Sequence, residues 1–192
     1  MKEQFKELID SLPLYNWKLI IGIFLVTVVL DQVTKQYFEA TLLYGDHVPV
    51  IGDFFRLTLH KNPGIAFGIT LFDSRIVFVL FTIAVIIFIF FYLISYKNLS
   101  TMWQTVIGLI MGGAVGNLID RALFGKVIDF LDVEFFDIRI DPFSFLGYDF
   151  SGFYMYRWPI FNVADMAVSA GLILVLYSFF MESRSGKGNN AV

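Results

Sequence analysis

The chain has 192 residues, of which 57% are hydrophobic and only 16% charged, against about 25% charged in an ordinary soluble domain. Twenty-three phenylalanines are more than a water-soluble core of this size can hide, so the composition points to a membrane protein. A net charge of −3 without clustered Lys and Arg excludes a nucleic-acid partner, and the absence of cysteine excludes disulfides, thiolate metal sites and a cysteine nucleophile.

The first segment, Met1 to Asn16, is mixed in character, and no small-x-small site follows the apolar stretch after it. That stretch is therefore expected to be a permanent span rather than a cleaved signal peptide. A crossing helix needs about 20 mostly apolar residues. Four windows approach that length, at about 17–38, 75–96, 102–120 and 160–181. The expected fold is an all-α membrane protein with four transmembrane helices, forming a single membrane-embedded domain over 1–182 and a disordered polar tail over 183–192. An alternating stretch, Phe54 to Leu59, predicts a small extracytoplasmic β element, and an aromatic-rich loop joins the third and fourth windows.

Placing both termini and the Tyr96–Thr101 turn in the cytoplasm puts Lys2, Lys6, Lys18, Lys97, Arg184 and Lys187 there. Per residue these short segments are richer in Lys and Arg than the two long loops, so the positive-inside rule favours cytoplasmic termini. If all four windows cross, the end of the first, the start of the second, the end of the third and the start of the fourth share one membrane face. The embedded polar groups crowd those ends: Asp31 and Lys35, Asp73 and Arg75, Asn117, Asp120 and Arg121, then Asn162 and Asp165. Costly polar groups gathered on one face point to a site there.

Asp31 and Lys35 lie four apart and can pair on one helix face, as a structural ion pair or in support of a site. His60-Lys61-Asn62-Pro63-Gly64 carries a turn signal, with His60 expected as a solvated loop residue and Asn62 open to either a turn or a site role. Gly108, Gly112 and Gly116 form a small-residue register that brings helix backbones close. By default Arg121 is a snorkelling anchor at the end of that helix. Asn162 and Asp165 fit a helix N-terminus, as cap and dipole partner. Asp129 stands in the apolar run Val127-Ile128-Asp129-Phe130-Leu131 and has no such structural excuse.

Peptide hydrolysis needs a nucleophilic water and a proton for the departing amine. Two close carboxylates cannot both ionise comfortably, so they share a proton and divide the roles of base and acid. A helix N-terminus favours negative charge, which suits Asp165 to begin as the base. Without cysteine, and with His47 and His60 outside any metal-ligand spacing, Asp129 and Asp165 are the only hydrolytic pair the sequence offers. No metal and no cofactor are expected.

These residues resemble the bacterial lipoprotein signal peptidases, also called signal peptidase II. The resemblance is carried by Asp31-Gln32-Val33-Thr34-Lys35, Asn62-Pro63-Gly64-Ile65-Ala66-Phe67, the run from Gly112 to Arg121, Val127-Ile128-Asp129-Phe130 and Phe161-Asn162-Val163-Ala164-Asp165. It implies an aspartyl peptidase of the inner membrane whose site faces the periplasm or cell exterior; the chain is expected to be a monomer. The implied substrates are prolipoproteins carrying a diacylglyceryl group on the lipobox cysteine, cut just before that cysteine, with membrane lipid as the surrounding partner. By matching position, Asp129 and Asp165 are the implied catalytic dyad. Asp31, Lys35, Asn62, Gly116, Asn117, Arg121, Asn162 and Ala164 are the residues implied to support the site or contact substrate, and inhibition by globomycin is implied too. The stretch from Phe130 to Ala164 is longer than family members usually have and holds ten aromatics between Phe135 and Trp158. It is expected at headgroup level, as a lid or an anchor. A small transporter or channel, or a structural membrane scaffold, are the rival readings. The polar groups leave no trail to the opposite face, which weighs against a transport path.

Overall fold

A computed structural model describes residues 16–63, 75–95 and 98–184. Its elements run α1 (Trp17–Thr41), β1 (His47–Ile51), β2 (Phe55–Asn62), α2 (Arg75–Ser95), α3 (Thr101–Phe124), β3 (Val127–Val133), β4 (Ile138–Ile140), β5 (Phe143–Phe145), β6 (Tyr148–Phe150), β7 (Phe153–Met155) and α4 (Val163–Arg184). They form two compact units. The helical unit takes α1 as far as Val33 together with α2, α3 and α4, while the second takes the rest of α1 and all the strands.

In the helical unit three helices are long and apolar enough to cross a membrane, over Trp17–Thr41, Thr101–Phe124 and Val163–Met181. The remaining helix, α2, has 21 residues and coincides with the second window. Within its apolar window α3 is 44% buried, against 17% for α1 and 22% for α4, so α3 is the central helix and the others turn most of their side chains outward. Glycine makes this possible. A Cβ on Gly108 would lie 2.9 Å from Ile23, one on Gly112 2.7 Å from Thr27, and one on Gly116 2.5 Å from Asp31. Three glycines four apart thus meet three α1 residues four apart, and the expected close approach of backbones is present.

Several helix ends differ from expectation, α1 among them, which runs to Thr41 rather than about 38. α3 runs past Asp120 to Phe124 and stops at Gly125, whose φ of 73° lets its N–H close on Arg121 O. α4 begins at Val163 rather than near 160, because the Phe161 backbone is already committed to β3: it accepts from Phe130 and Leu131 and donates to Leu131 O. Ser183 and Arg184, expected in the tail, complete α4. Met1 to Tyr15, Gly64, Asp73, Lys97, residues 185–192 and the side chain of Arg75 lie outside the described residues.

The second unit holds more β structure than an all-α reading allowed. A three-stranded antiparallel sheet has the order β1-β2-β3, and two ribbons pair β4 with β7 and β5 with β6. β2 extends the expected strand through Asn62, so His60, Lys61 and Asn62 are strand residues rather than a turn. The reason lies far off in sequence: β3 supplies partners, with His60 opposite Asp129 and Asn62 opposite Val127. His60, expected to be solvated, is half-buried and stacks on Tyr44 with ring centroids 6.4 Å apart.

Candidate active site

Asp129 belongs to the sheet unit. β3 is buried along nearly its whole length, and Val127, Ile128 and Phe130 shut water out around it. Phe130 packs on Phe38 of α1 with ring centroids 4.4 Å apart. A carboxylate here, 1% exposed, requires hydrogen bonds. Asn62 Nδ2 donates to its Oδ2 at 3.0 Å and Asn162 Nδ2 to its Oδ1 at 2.6 Å. Asn162 is placed by its neighbour Phe161, bridged to Leu131, and donates as well to Ile128 O. Its carboxamide therefore does more than occupy the position before a helix. The two asparagines come from β2 and from the segment leading into α4, and each holds one carboxyl oxygen.

Asp165 belongs to the helical unit, in the first turn of α4. It is half-buried, and Asn117 Nδ2 on α3 donates to its Oδ1 at 2.8 Å. The α3–α4 approach that allows this bond depends on glycine again: a Cβ on Gly113 would collide with the Ala164 carbonyl oxygen. Asp31 Oδ1, reaching from α1, accepts the Ala164 N–H at 2.9 Å. It thereby satisfies one of the unpaired N–H groups of the first turn and places a carboxylate at the positive helix end. Gly116 leaves room for that carboxylate, and Ala164 is fully buried against it.

Gln32 and Asp120 join this cluster of the helical unit and were not singled out as site residues from the sequence. Gln32 Nε2 donates to Asp31 Oδ2, Gly116 O and Asp120 Oδ1, at 3.2, 3.1 and 3.0 Å. Asp120 is 1% exposed. The only sequence signal for Gln32 was its place beside Asp31. Lys35 is buried in the second unit, and Arg121 is half-buried in the last turn of α3. At the other end of α3, Gln104 is buried too: its Oε1 accepts from Asn16 N and its Nε2 donates to Leu99 O, which ties the start of α1 to the start of α3.

A second polar cluster lies further along β3. Asp132 accepts from Thr58 Oγ1 at 2.8 Å and from Arg157 Nε at 2.7 Å, and Arg157 also pairs with Glu134 and donates to Asp53 O. His47 Nδ1 bonds Thr58 Oγ1 at 2.9 Å. The cluster clips β1, β2, β3 and the long loop together. Sequence reading missed it, since its directly bonded members lie up to 104 residues apart. At the start of β2, Asp53 pairs with Arg56 and raises the guanidinium pKa above its ordinary value. Among the described residues no group of three or more His, Asp and Glu is arranged to hold a metal ion.

Comparison with known proteins adds an independent line. The family model described as Signal peptidase (SPase) II matches residues 23–181. A lipoprotein signal peptidase of Brevibacillus brevis is 36% identical over 162 residues, covering 84% of this chain and 95% of the relative. One from Staphylococcus aureus is 34% identical over 169 residues, covering 88% and 91%. A solved bacterial membrane enzyme superposes with a TM-score of 0.74 at 32% identity, over 94% of this chain and 98% of the other. A second such structure gives 0.67 at 34% identity, over 86% and 94%.

Proposed function

The chain belongs to the signal peptidase II family, and from that premise we propose that it is an intramembrane aspartyl endopeptidase that uses Asp129 and Asp165 to cut diacylglyceryl-modified prolipoproteins just before the lipidated cysteine. As a family member it is a peptidase that removes signal peptides from prolipoproteins. The dyad, the cut position and the part played by each residue are the further reading.

One carboxylate takes a proton from water as the water oxygen attacks the scissile carbonyl carbon. The other, protonated, gives its proton to the amide nitrogen as the C–N bond breaks. Asn62 and Asn162 fix the plane of Asp129, and Asn117 fixes that of Asp165. Gly116, Ala164, Asp31 and Gln32 seat the first turn of α4, and with it Asp165. Lys35 and Arg121 complete the supporting set.

The observation that carries this reading is that both aspartates are held by asparagine, and that Asn162, which grips Asp129, stands three residues before Asp165 in the chain. The diacylglyceryl requirement follows from the setting. Acyl chains that stay in the bilayer bring the peptide to a site at the membrane and supply binding energy away from the cut bond. With α1 to α4 all crossing, the termini are cytoplasmic and the site faces the periplasm or cell exterior, in a monomer of the inner membrane open to inhibition by globomycin.

The test is mass spectrometry of products from purified protein and two precursors, one lipidated and one not. The lipidated cysteine as new N-terminus, with the unlipidated precursor left intact, is the expected result. Cleavage elsewhere, or equal cleavage of both, contradicts the proposed specificity. Ion flux in proteoliposomes without any cleavage favours a transporter instead.

A further inference from the structure

The β5–β6 ribbon is two-faced. Its register pairs Phe143 with Phe150 and Phe145 with Tyr148, so these four rings share one face, while Ser144 opposite Asp149 occupies the other and is hydrogen-bonded across it. Phe143 and Phe150 stack with centroids 4.7 Å apart. Aromatic cross-strand pairs of this kind ordinarily face a core, yet all four rings are exposed, Tyr148 at 75%.

The turn sharpens the anomaly. Leu146 and Gly147 connect the strands with φ of 50° and 80°. Two central residues at positive φ call for Asn, Asp or Gly, and a leucine at the first is strained. Leu146 is also 82% exposed, more than any other large apolar side chain described. Neither turn geometry nor packing within the chain accounts for a leucine there. A partner outside the chain does.

We propose that the β5–β6 hairpin is a membrane anchor whose tip, Leu146 with Phe145 and Tyr148, enters the interfacial layer of the lipid bilayer. Three observations select lipid over other occupants. The ribbon is tethered between α3 and α4, both long and apolar enough to cross a membrane, with twelve residues separating Phe150 from Val163. Its rings form the pattern favoured at the headgroup boundary, apolar bodies with a tyrosine among them. The stretch 137–155 carries Asp137, Asp141 and Asp149 against Arg139 alone, an acidic balance that suits an apolar contact with zwitterionic lipid and not attraction to anionic headgroups. The inference rests on the helices crossing the membrane and is independent of the peptidase chemistry.

The lack of native cysteine makes the test direct. Leu146→Cys, Tyr148→Cys and Asp149→Cys, each in the full chain, are spin-labelled and reconstituted in phosphatidylcholine vesicles without substrate. Accessibility to oxygen is then compared with accessibility to a water-soluble nickel complex. The expected oxygen-to-nickel ratio is several-fold higher at 146 and 148 than at 149, and persists at about 1 M salt, where charge attraction is screened within about 3 Å. Equal ratios at all three positions overturn the proposal. So does a ratio that rises only with anionic lipid, or only when a prolipoprotein is added, the last of which makes the ribbon a substrate-docking surface.

Discussion

Strand β3 carries two buried carboxylates three residues apart, and each is gripped by side chains from other elements. Asp129 and Asp132 are 1% and 2% exposed. Asp132 takes a guanidinium and a hydroxyl, and its Arg157 partner reaches on to Glu134 and the Asp53 carbonyl. Asp129 takes two neutral carboxamides from separate elements. Burial alone therefore does not distinguish the carboxylate proposed to take part in cleavage from the one that clips the strands. The Arg157 clamp on Asp132 ties strands and the long loop together, whereas Asn62 and Asn162 orient the Asp129 carboxyl group from two separate elements.

The largest effect should come from Asp129→Asn. It preserves size and some hydrogen bonding but cannot take up and return a proton, so cleavage should fall at least ~10² with circular dichroism unchanged. Asp132→Asn should reverse the pattern: the unfolding midpoint in detergent drops, by about 1–3 kcal/mol of stability, while the cleavage rate stays within several-fold of wild type. If Asp132→Asn abolishes cleavage in a folded protein, the two ends of β3 are not functionally distinct. Gly116→Ala should fall between them. Its methyl would lie 2.5 Å from Asp31 Oδ2, and the shift this forces should cost about 1–3 kcal/mol and lower kcat through displacement of the α4 first turn. Arg56→Ala, at the exposed Asp53 pair, should change neither rate nor midpoint measurably, as expected of a solvated ion pair.

What the sequence disclosed follows the same division. The helical unit is written in local patterns. Apolar windows marked the helices, the glycine register Gly108, Gly112 and Gly116 announced close packing, and Asn162 marked a helix start. Long-range pairing is not written that way. The alternating stretch ends at Leu59 and a turn signal follows, so nothing local carries the strand on through His60, whose partner Asp129 is 69 residues away. Gln32 looks like any polar residue until α3 brings Gly116 and Asp120 to it. Arg157 sits in an aromatic loop that offers no hint of Asp132. The loop itself read as a run of rings, and only the register of its strands sorts them onto one face.

The central claim, that Asp129 and Asp165 act as one unit, is tested most directly by a double-mutant comparison. Cleavage of a lipidated prolipoprotein is measured for wild type, Asp129→Asn, Asp165→Asn and the double variant in the same vesicles. Groups that work as a unit are strongly non-additive, so each single variant should already lose nearly all the rate, and the double variant should be no more than a few-fold slower. Losses that multiply, or a single variant that keeps wild-type activity, would contradict the dyad.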